Sequence, residues 1–216
     1  MAQIICENLS IGYSSHVVIE NLNFHVNSGD YLCITGENGS GKSTLIKTSL
    51  GLQAPLRGTI TFSEGLTRND IGYLPQRTDS QKDFPASVRE IVLSGFQGKC
   101  GFRPFYTRHE KSLAFESMLR MNICELERKC FRELSGGQQQ RVLLSRAMCA
   151  GSKALILDEP VSGLDPEAAS DMYKIINELN HSEHITIIMI SHDIDKALNF
   201  AGRVLNLPHE RRTHNA

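Results

Sequence analysis

The sequence predicts an α/β fold in which a parallel sheet carries an antiparallel β layer at the N-terminus and an inserted helical lobe. Continuous apolar runs at 154–159 and 185–191 are typical of central parallel strands that are covered on both faces, and the compact apolar run at 31–35 predicts a further buried strand. The stretch 77–133 instead contains helix-like segments and no strong central-strand run. The length of 216 residues suits one large α/β domain with such a lobe.

The individual elements follow from periodicity and from turn residues. Residues 4–26 alternate and break at "GYSSH" and "ENLN", which predicts short antiparallel strands. The apolar run "YLCIT" leads into a helix that ends at Gly51. Asp165 suits the N-cap and Pro166 the first position of a later amphipathic helix. The other predicted elements are strands at 59–62 and 71–76 and helices at 86–95 and 109–121.

The composition indicates an ordinary soluble globular protein, with 40% hydrophobic and 22% charged residues. We predict one domain, whose core comprises about 1–76 and 134–216 around the lobe at 77–133. The net charge of −1 provides no broad basic field, so we expect no nucleic-acid partner. The six scattered Cys predict reduced core thiols in a cytosolic protein. A signal-peptide pattern and long apolar runs are absent, so membrane contact is expected through a partner.

A glycine-rich loop follows the first buried strand. "GENGSGKST" fits G-x-x-x-x-G-K-[ST] at Gly36, Gly41, Lys42 and Ser43, with a strand before it and a helix after it. Such a loop turns its backbone N–H groups toward the β- and γ-phosphates of a nucleotide. Lys42 adds a positive charge, and the Ser43 hydroxyl can ligate Mg²⁺. The sequence therefore predicts a nucleotide site.

Polar side chains follow three other predicted strands. "LILDEP" places Asp158 and Glu159 at the carboxyl end of a central strand, the edge where ligands bind in open α/β sheets. Asp158 can hold Mg²⁺ through its hydration shell, and Glu159 can act as general base on the attacking water. His192 in "ISHD" can contact the γ-phosphate, and the amide of Gln76 can reach Mg²⁺ or the water. Tyr13 has a flat face that could stack on adenine.

A second candidate anion site lies about a hundred residues after the first. "LSGGQQQR" places Ser135, Gly136 and Gly137 ahead of a helical run, so we expect bare N–H groups at a positive helix end. One phosphate loop binds one triphosphate. We therefore expect a second phosphate-binding site on the lobe to bind a nucleotide that is held by a second copy of the chain. Two chains packed head to tail would then bury two ATP molecules, with "SGLD" (162–165) at the interface.

These motifs stand in the order found in ABC-type ATPase subunits, which the chain resembles over nearly its whole length. The resemblance implies a RecA-like P-loop NTPase core and an ATP sandwich dimer. It also implies docking near Gln76 on an integral membrane permease, so that the chain is peripheral at the cytoplasmic face. The ATP contacts that it implies are Tyr13, Gly36, Asn38, Gly39, Ser40, Gly41, Lys42, Ser43 and Thr44, with Ser135, Gly136, Gly137 and Gln138 contributed in trans. Asp165, in the "SGLD" segment at the interface, is a further expected ATP contact. The implied catalytic residues are Glu159, His192 and Gln76, and the implied ligands of the Mg²⁺ of Mg-ATP are Ser43, Gln76 and Asp158.

Two stretches indicate a branch of that family. "DFPASVREIVLSG" (83–95) and "GQQQRVLLSRAMC" resemble bacterial zinc and manganese uptake ATPases. We expect Phe84, Pro85 and Val88 to be apolar permease contacts, and a substrate-binding protein to be an indirect partner. His209 and His214 are too sparse to form a metal-ligand cluster. The chain stops soon after "GRVLNLPHE", where such subunits usually continue, so a C-terminal regulatory or dimer contact is not expected.

Two alternatives stay open at this stage. The first is a soluble ABC ATPase of the iron–sulfur assembly type, which has a similar size and differs in having a soluble partner. The second is an ABC subunit for another cargo. Translation-type and chromosome-type members carry two cassettes or long heptads, and this chain has neither. Lys42, Asp158, Glu159 and His192 argue against a non-hydrolysing module.

Overall fold

A computed structural model describes residues 2–13, 16–63, 65–76, 84–192 and 202–207. Their strands form two sheets, a three-stranded antiparallel sheet and a five-stranded parallel sheet. The strands are β1 (Ala2–Tyr13), β2 (His16–Asn27), β3 (Tyr31–Thr35), β4 (Arg57–Phe62), β5 (Ile71–Leu74), β6 (Ala154–Asp158), β7 (Thr186–Ile190) and β8 (Arg203–Asn206). The helices are α1 (Lys42–Ser49), α2 (Val88–Leu93), α3 (Gln97–Cys100), α4 (Arg108–Arg120), α5 (Gly136–Ala150) and α6 (Pro166–Glu183). The predicted α/β class is confirmed.

The parallel sheet has the strand order β5-β6-β7-β3-β8, and its three central strands are buried on both faces. All five residues of each of β3, β6 and β7 are buried, as their continuous apolar runs predict. Along β3, Leu32 and Ile34 face a core shared with α1 and the antiparallel sheet, whereas Tyr31 and Cys33 face a core shared with α5 and α6. The sheet therefore separates two apolar cores.

The antiparallel sheet has the order β2-β1-β4. The predicted break at "ENLN" is wrong, because β2 continues through it as one 12-residue strand. Asn21 adopts a left-handed φ of 52° there and donates its backbone N–H to Ser10 Oγ at 3.2 Å. Asn tolerates this conformation, so the strand continues through the irregularity.

Helix α1 ends as predicted at a glycine. Gly51 has φ +73° and donates to the carbonyl of Thr48 at 3.0 Å, while Leu52 donates to that of Lys47 at 2.9 Å. This is the Schellman pattern that closes a helix at its C-terminus. Asp165 likewise caps α6 as predicted, since its carboxylate accepts from the amide of Ala168 at 2.9 Å with Pro166 next in the chain.

The lobe contains the predicted helices at 86–95 and 109–121, observed as α2 and α4. Helices α2, α4 and α5 pack on one another, and α5 also packs on β5. The proposed lobe therefore shares α5 with the proposed core. Within the part of the chain that the structure describes, no helix has both the length and the apolar character needed to span a bilayer.

Candidate functional site

The glycine-rich loop joins the end of β3 to the start of α1. Gly36, Gly39 and Gly41 have φ of 150°, 85° and 93°. A Cβ on Gly36 would lie 2.6 Å from Ser40 Oγ, and one on Gly41 would lie 2.8 Å from a methyl group of Val18. Because positive φ and close approach both exclude other residues, this backbone path requires glycine at these two positions.

The start of α1 is suited to an anion. Gly41 is its N-cap and supplies no side-chain hydrogen bond, so the first amides of the helix are left for a ligand. The Ser40 hydroxyl is also buried, and it has no hydrogen-bond partner among the described residues. Backbone amides and a hydroxyl in this position fit the oxygens of a phosphate chain.

Lys42 places a cation directly under the loop. Its Nζ donates to the carbonyl oxygens of Gly36 at 2.7 Å and Glu37 at 2.8 Å. Burial lowers the pKa of Lys42, and the charges of Glu159 and Asp158 oppose that shift. The two carboxylates at the end of β6 therefore face the ammonium group.

Asp158 is the last residue of β6 and is buried. Burial, and next the charge of Glu159, raise its pKa above the ordinary value. The Tyr73 hydroxyl donates to Asp158 Oδ2 at 3.4 Å from the neighbouring strand β5. Tyr73 was missed in the sequence, although its place on the strand beside "LILDE" was a usable signal.

Glu159 is held between the two polar residues that the sequence predicts around it. Gln76 Nε2 donates to one carboxylate oxygen at 2.9 Å, and His192 Nε2 lies 2.5 Å from the other. The backbone of Glu159 has a left-handed φ of 51°, and its N–H donates to the carbonyl of Ile190 at 3.1 Å. The carboxyl ends of β5, β6 and β7 thus converge on one carboxylate.

Most of these groups line one open cleft of about 520 Å³, whereas Gly36, Ser40 and Asp158 are not among its lining residues. Its lining residues are Tyr13, Val18, Asn38, Gly39, Gly41, Lys42, Ser43, Thr44, Gln76, Glu159 and His192. Tyr13 is half exposed, and its hydroxyl lies 3.4 Å from Thr44 Oγ1. The structure therefore brings the phosphate loop, the acid and the predicted adenine platform together. Val18 is an addition that sequence analysis did not provide.

The second predicted anion site lies outside this cleft. Ser135 caps α5 by accepting from the Gln138 amide at 3.3 Å, and the Gln138 side chain accepts from the Ser135 amide at 3.0 Å. The expectation of bare N–H groups is thus wrong for Gln138 and is retained only for Gly136 and Gly137, which stand outside this capping box. A Cβ on Gly137 would lie 3.0 Å from that of Ala168, so this segment adjoins the turn capped by Asp165.

The predicted docking residues divide between surface and core. Phe84 and Pro85 are exposed, but Val88 is fully buried, so the prediction that it contacts a partner is wrong. Val88 lies on the same helix face as Ile91 and Val92 and packs in the lobe core. Beside these residues lies a groove with a volume of about 450 Å³, which we call the apolar groove. Its larger apolar lining residues are Phe84, Ile91, Phe131 and Leu143.

The described residues contain no group of three or more His, Cys, Asp and Glu side chains arranged to hold a metal ion. His209 and His214, which were considered as metal ligands in the sequence, lie outside the described residues.

The parallel sheet, the loop and the converging acids define a P-loop nucleotide-binding protein. A model of the ABC transporter family matches residues 19–162, so the chain belongs to the ABC transporter family, and ATP binding follows from that membership.

Two similar proteins and one solved structure extend this result. The zinc transport system ATP-binding protein AdcC of Streptococcus pneumoniae is 34% identical over 96% of this chain and 90% of its own. The manganese transport system ATP-binding protein MntB of Halalkalibacterium halodurans is 35% identical over 94% of this chain and 82% of its own. A chain from an ABC transporter described as of the metal-chelate type, in an inward-facing conformation, superposes with a TM-score of 0.87 at 31% identity. It covers 97% of this chain and 81% of its own length. The resemblance to zinc and manganese transport ATPases is confirmed at the level of the family.

Proposed function

We propose that this chain is the ATP-hydrolysing subunit of a membrane importer for a metal ion, zinc or manganese. The observation that carries the proposal is the cleft in which the phosphate loop faces Glu159, with Gln76 and His192 bonded to its carboxylate. The names of the two relatives, both ATP-binding proteins of transport systems, support a transporter subunit over a soluble ABC ATPase of the iron–sulfur assembly type.

In this proposal the phosphate loop binds the triphosphate. The amides and hydroxyls of residues 36–44, Asn38 among them, surround the phosphate oxygens, and Lys42 neutralises part of their charge. The exposed ring of Tyr13 at the mouth of the cleft stacks on adenine.

Glu159 is the proposed general base. Its position beside the loop allows it to accept a proton from a water that attacks the terminal phosphate. His192 and Gln76 orient the carboxylate through the two bonds that they make to it. The αL backbone of Glu159, anchored on Ile190, fixes the point from which the side chain leaves the sheet.

Mg²⁺ fits the donor set of this cleft, because hydroxyl, carboxylate and amide oxygens are the ligands that it prefers. Ser43, Asp158 and Gln76 would hold it, and the Gln76 amide nitrogen already faces Glu159, which leaves its oxygen for a cation. When bound, the ion supplies charge neutralisation at the phosphate oxygens.

The start of α5 serves a nucleotide held by a second copy of the chain. The residues Ser135, Gly136, Gly137 and Gln138 do not line the cleft, which supports a role toward a nucleotide held by another chain. Head-to-tail packing of two copies would bring this helix start onto the opposite phosphate loop. Asp165, which caps the adjoining helix, would then lie at the interface between the copies.

The permease subunits are proposed to dock near Gln76 and residues 83–95. The exposed side chain of Phe84 and the apolar groove beside it support this assignment. The chain would then lie peripherally at the cytoplasmic face of the membrane, and the substrate-binding protein would be an indirect partner.

Whole-cell elemental content tests the proposal. Cells of the source organism that carry Lys42→Ala are compared with wild type during metal-limited growth, and Lys174→Ala on the exposed face of α6 is the matched control. Selective loss of zinc or manganese in the Lys42 variant alone is the expected result and identifies the ion. Unchanged content of every metal would contradict the importer.

A further inference from the structure

A cleft on the lobe side of β5 is lined by three cations. Arg68, Lys99 and Arg146 border a space of about 340 Å³, and the remaining lining residues are neutral. Like charges gathered around a cleft repel one another unless an anion enters it. We call this space the basic cleft. It is separate from the nucleotide cleft and shares no lining residue with it.

The three cations are held in place by neutral groups. Arg146 Nε donates to Ser94 Oγ at 3.0 Å, and the guanidinium of Arg68 lies 5.5 Å above the ring of Phe62. Lys99 Nζ donates to the carbonyl of Cys149 at 3.4 Å. A guanidinium fixed by one bond presents its other N–H groups in a fork that matches a carboxylate.

The described residues provide no carboxylate partner to any of these cations. The nearby acid is Asp70, whose carboxylate accepts from Thr67 at 2.8 and 2.9 Å and pairs with Lys153 at 3.7 Å. Lys99 contributes only weakly to the lowered pKa of Asp70, behind these bonds to Thr67. Among the residues that the structure describes, none pairs with these cations to neutralise the positive charge of the basic cleft.

The basic cleft is continuous with the apolar groove. Ser94, Gln97 and Arg146 line both spaces, so one bound segment could occupy the two at once. Glu90, the one acid among the described residues that line the groove, is engaged by the amide and hydroxyl of Ser87 at 2.8 and 2.6 Å.

We propose that the basic cleft receives an acidic side chain of the permease segment whose apolar face fills the groove. This inference rests on the proposed docking of a permease and names the chemistry of its contact. A segment with Asp or Glu beside its apolar face would satisfy both spaces, and the charge pair would fix its register along the groove.

The experiment measures rebinding of the purified chain to inside-out membrane vesicles from cells of the source organism that lack it. Lys99→Gln and Arg68→Gln are compared with Arg57→Gln, an exposed cation on β4. We expect each cleft variant to bind roughly two- to fivefold more weakly at low salt, which is the usual size of one exposed charge pair. The difference should shrink as salt screens the charges, and ATP hydrolysis in solution should be unchanged.

A photo-crosslinker at the exposed position Gln97 identifies the segment. We expect the cross-linked peptide to come from an integral membrane protein and to contain Asp or Glu. Neutralising that acid should weaken binding by the same factor as Lys99→Gln, and combining the two changes should cost little more than either alone. Additive losses, or a cross-linked segment without an acid, would overturn the inference.

Further variants and control vesicles in the rebinding experiment distinguish failure of this inference from failure of the proposed function. If Phe84→Ser weakens rebinding while the charge variants match Arg57→Gln, the docking proposal stands and the acidic contact is refuted. If the wild-type chain does not bind the vesicles, both are refuted. Equal binding to protein-free vesicles that contain phosphatidylglycerol would assign the anion to lipid headgroups and refute a permease acid.

Discussion

Two helix starts in this molecule resemble one another in sequence but differ in how their amides are used. Helix α1 begins after Gly41, and no side chain caps its amides. Helix α5 begins at Ser135, which bonds to the Gln138 amide and receives a bond from Gln138 in return. The first start is therefore open to a whole phosphate chain, whereas the second offers chiefly the amides of its two glycines.

The chemistry of the capping boxes sharpens this contrast. Helices α2 and α4 close their boxes with the carboxylates of Glu90 and Glu110, but α5 closes its box with the neutral amide of Gln138. A carboxylate stabilises a helix start that faces water, and it would repel a phosphate brought there by another chain. The capping residue is therefore charged in α2 and α4, for which no ligand is proposed, and neutral in α5, which is proposed to bind ATP.

The largest expected effect is on turnover at the first site. Glu159→Gln removes the proposed proton acceptor while preserving the shape that Gln76 and His192 contact, so ATP hydrolysis should fall about 10²- to 10⁴-fold. The same variant should accumulate an ATP-dependent dimer, detectable by light scattering. Glu167→Gln in the first turn of α6 is the control and should hydrolyse ATP normally. Full activity in the Glu159 variant would remove the carboxylate from the mechanism.

The second-largest expected effect is on the affinity for ATP at the uncapped start of α1. Lys42→Ala removes a buried ammonium group from beneath the phosphate loop, so ATP should bind roughly 10- to 100-fold more weakly by calorimetry. Lys174→Ala should bind ATP as the wild type does. An unchanged dissociation constant in the Lys42 variant would refute the assignment of the loop.

A smaller effect on ATP hydrolysis is expected when the start of α5 is changed than when the phosphate loop at the start of α1 is changed. Gln138→Glu keeps the capping box but adds a negative charge, so ATP hydrolysis should fall about tenfold, which corresponds to a single unfavourable charge contact. The melting temperature and the affinity of a single chain for ATP should both be preserved. Normal hydrolysis would show that no phosphate approaches this helix.

The smallest effect is on stability and involves a lobe helix that is remote from ATP. A hydrogen bond from Arg103, and next one from the Thr107 amide, lower the pKa of Glu110 from 4.5 to about 2. A carboxylate with a lowered pKa stabilises the folded state above its unfolded pKa, and this contribution is lost as pH falls from about 4.5 toward 2.

Glu110→Gln should therefore flatten the dependence of the free energy of unfolding on pH between pH 5 and 3 in urea titrations. Glu116→Gln, on the exposed face of the same helix, should retain the wild-type slope. Equal slopes in wild type and the Glu110 variant would contradict the assigned role of this capping box.

The sequence was sufficient for the parts of the site that depend on chain order. Buried parallel strands can be recognised in the sequence as apolar runs. Polar residues at the carboxyl ends of such strands lie at one edge of the sheet, so Gln76, Glu159 and His192 were predicted to lie together. The loop and Lys42 were predictable because only glycine permits that backbone path.

Contacts that depend on side-chain orientation could not be predicted from the sequence. Val88 follows an exposed Phe-Pro pair, yet the helix turns it into the lobe core beside Ile91. Gln138 folds back onto Ser135, a choice that spacing permits but does not require. Tyr73 reaches Asp158 only because β5 and β6 pair with Tyr73 opposite Ile156.

The most direct test of the central claim is to mix Lys42→Ala with Gln138→Glu and to measure ATP hydrolysis at the chain concentration where wild type is active. If the two helix starts act on one ATP from different chains, mixed dimers contain one site with an intact phosphate loop and an intact helix start. The account then predicts that the mixture hydrolyses ATP faster than the mean of the two separate variants. A rate equal to that mean would show that both starts act within one chain, or that the second does not act at all.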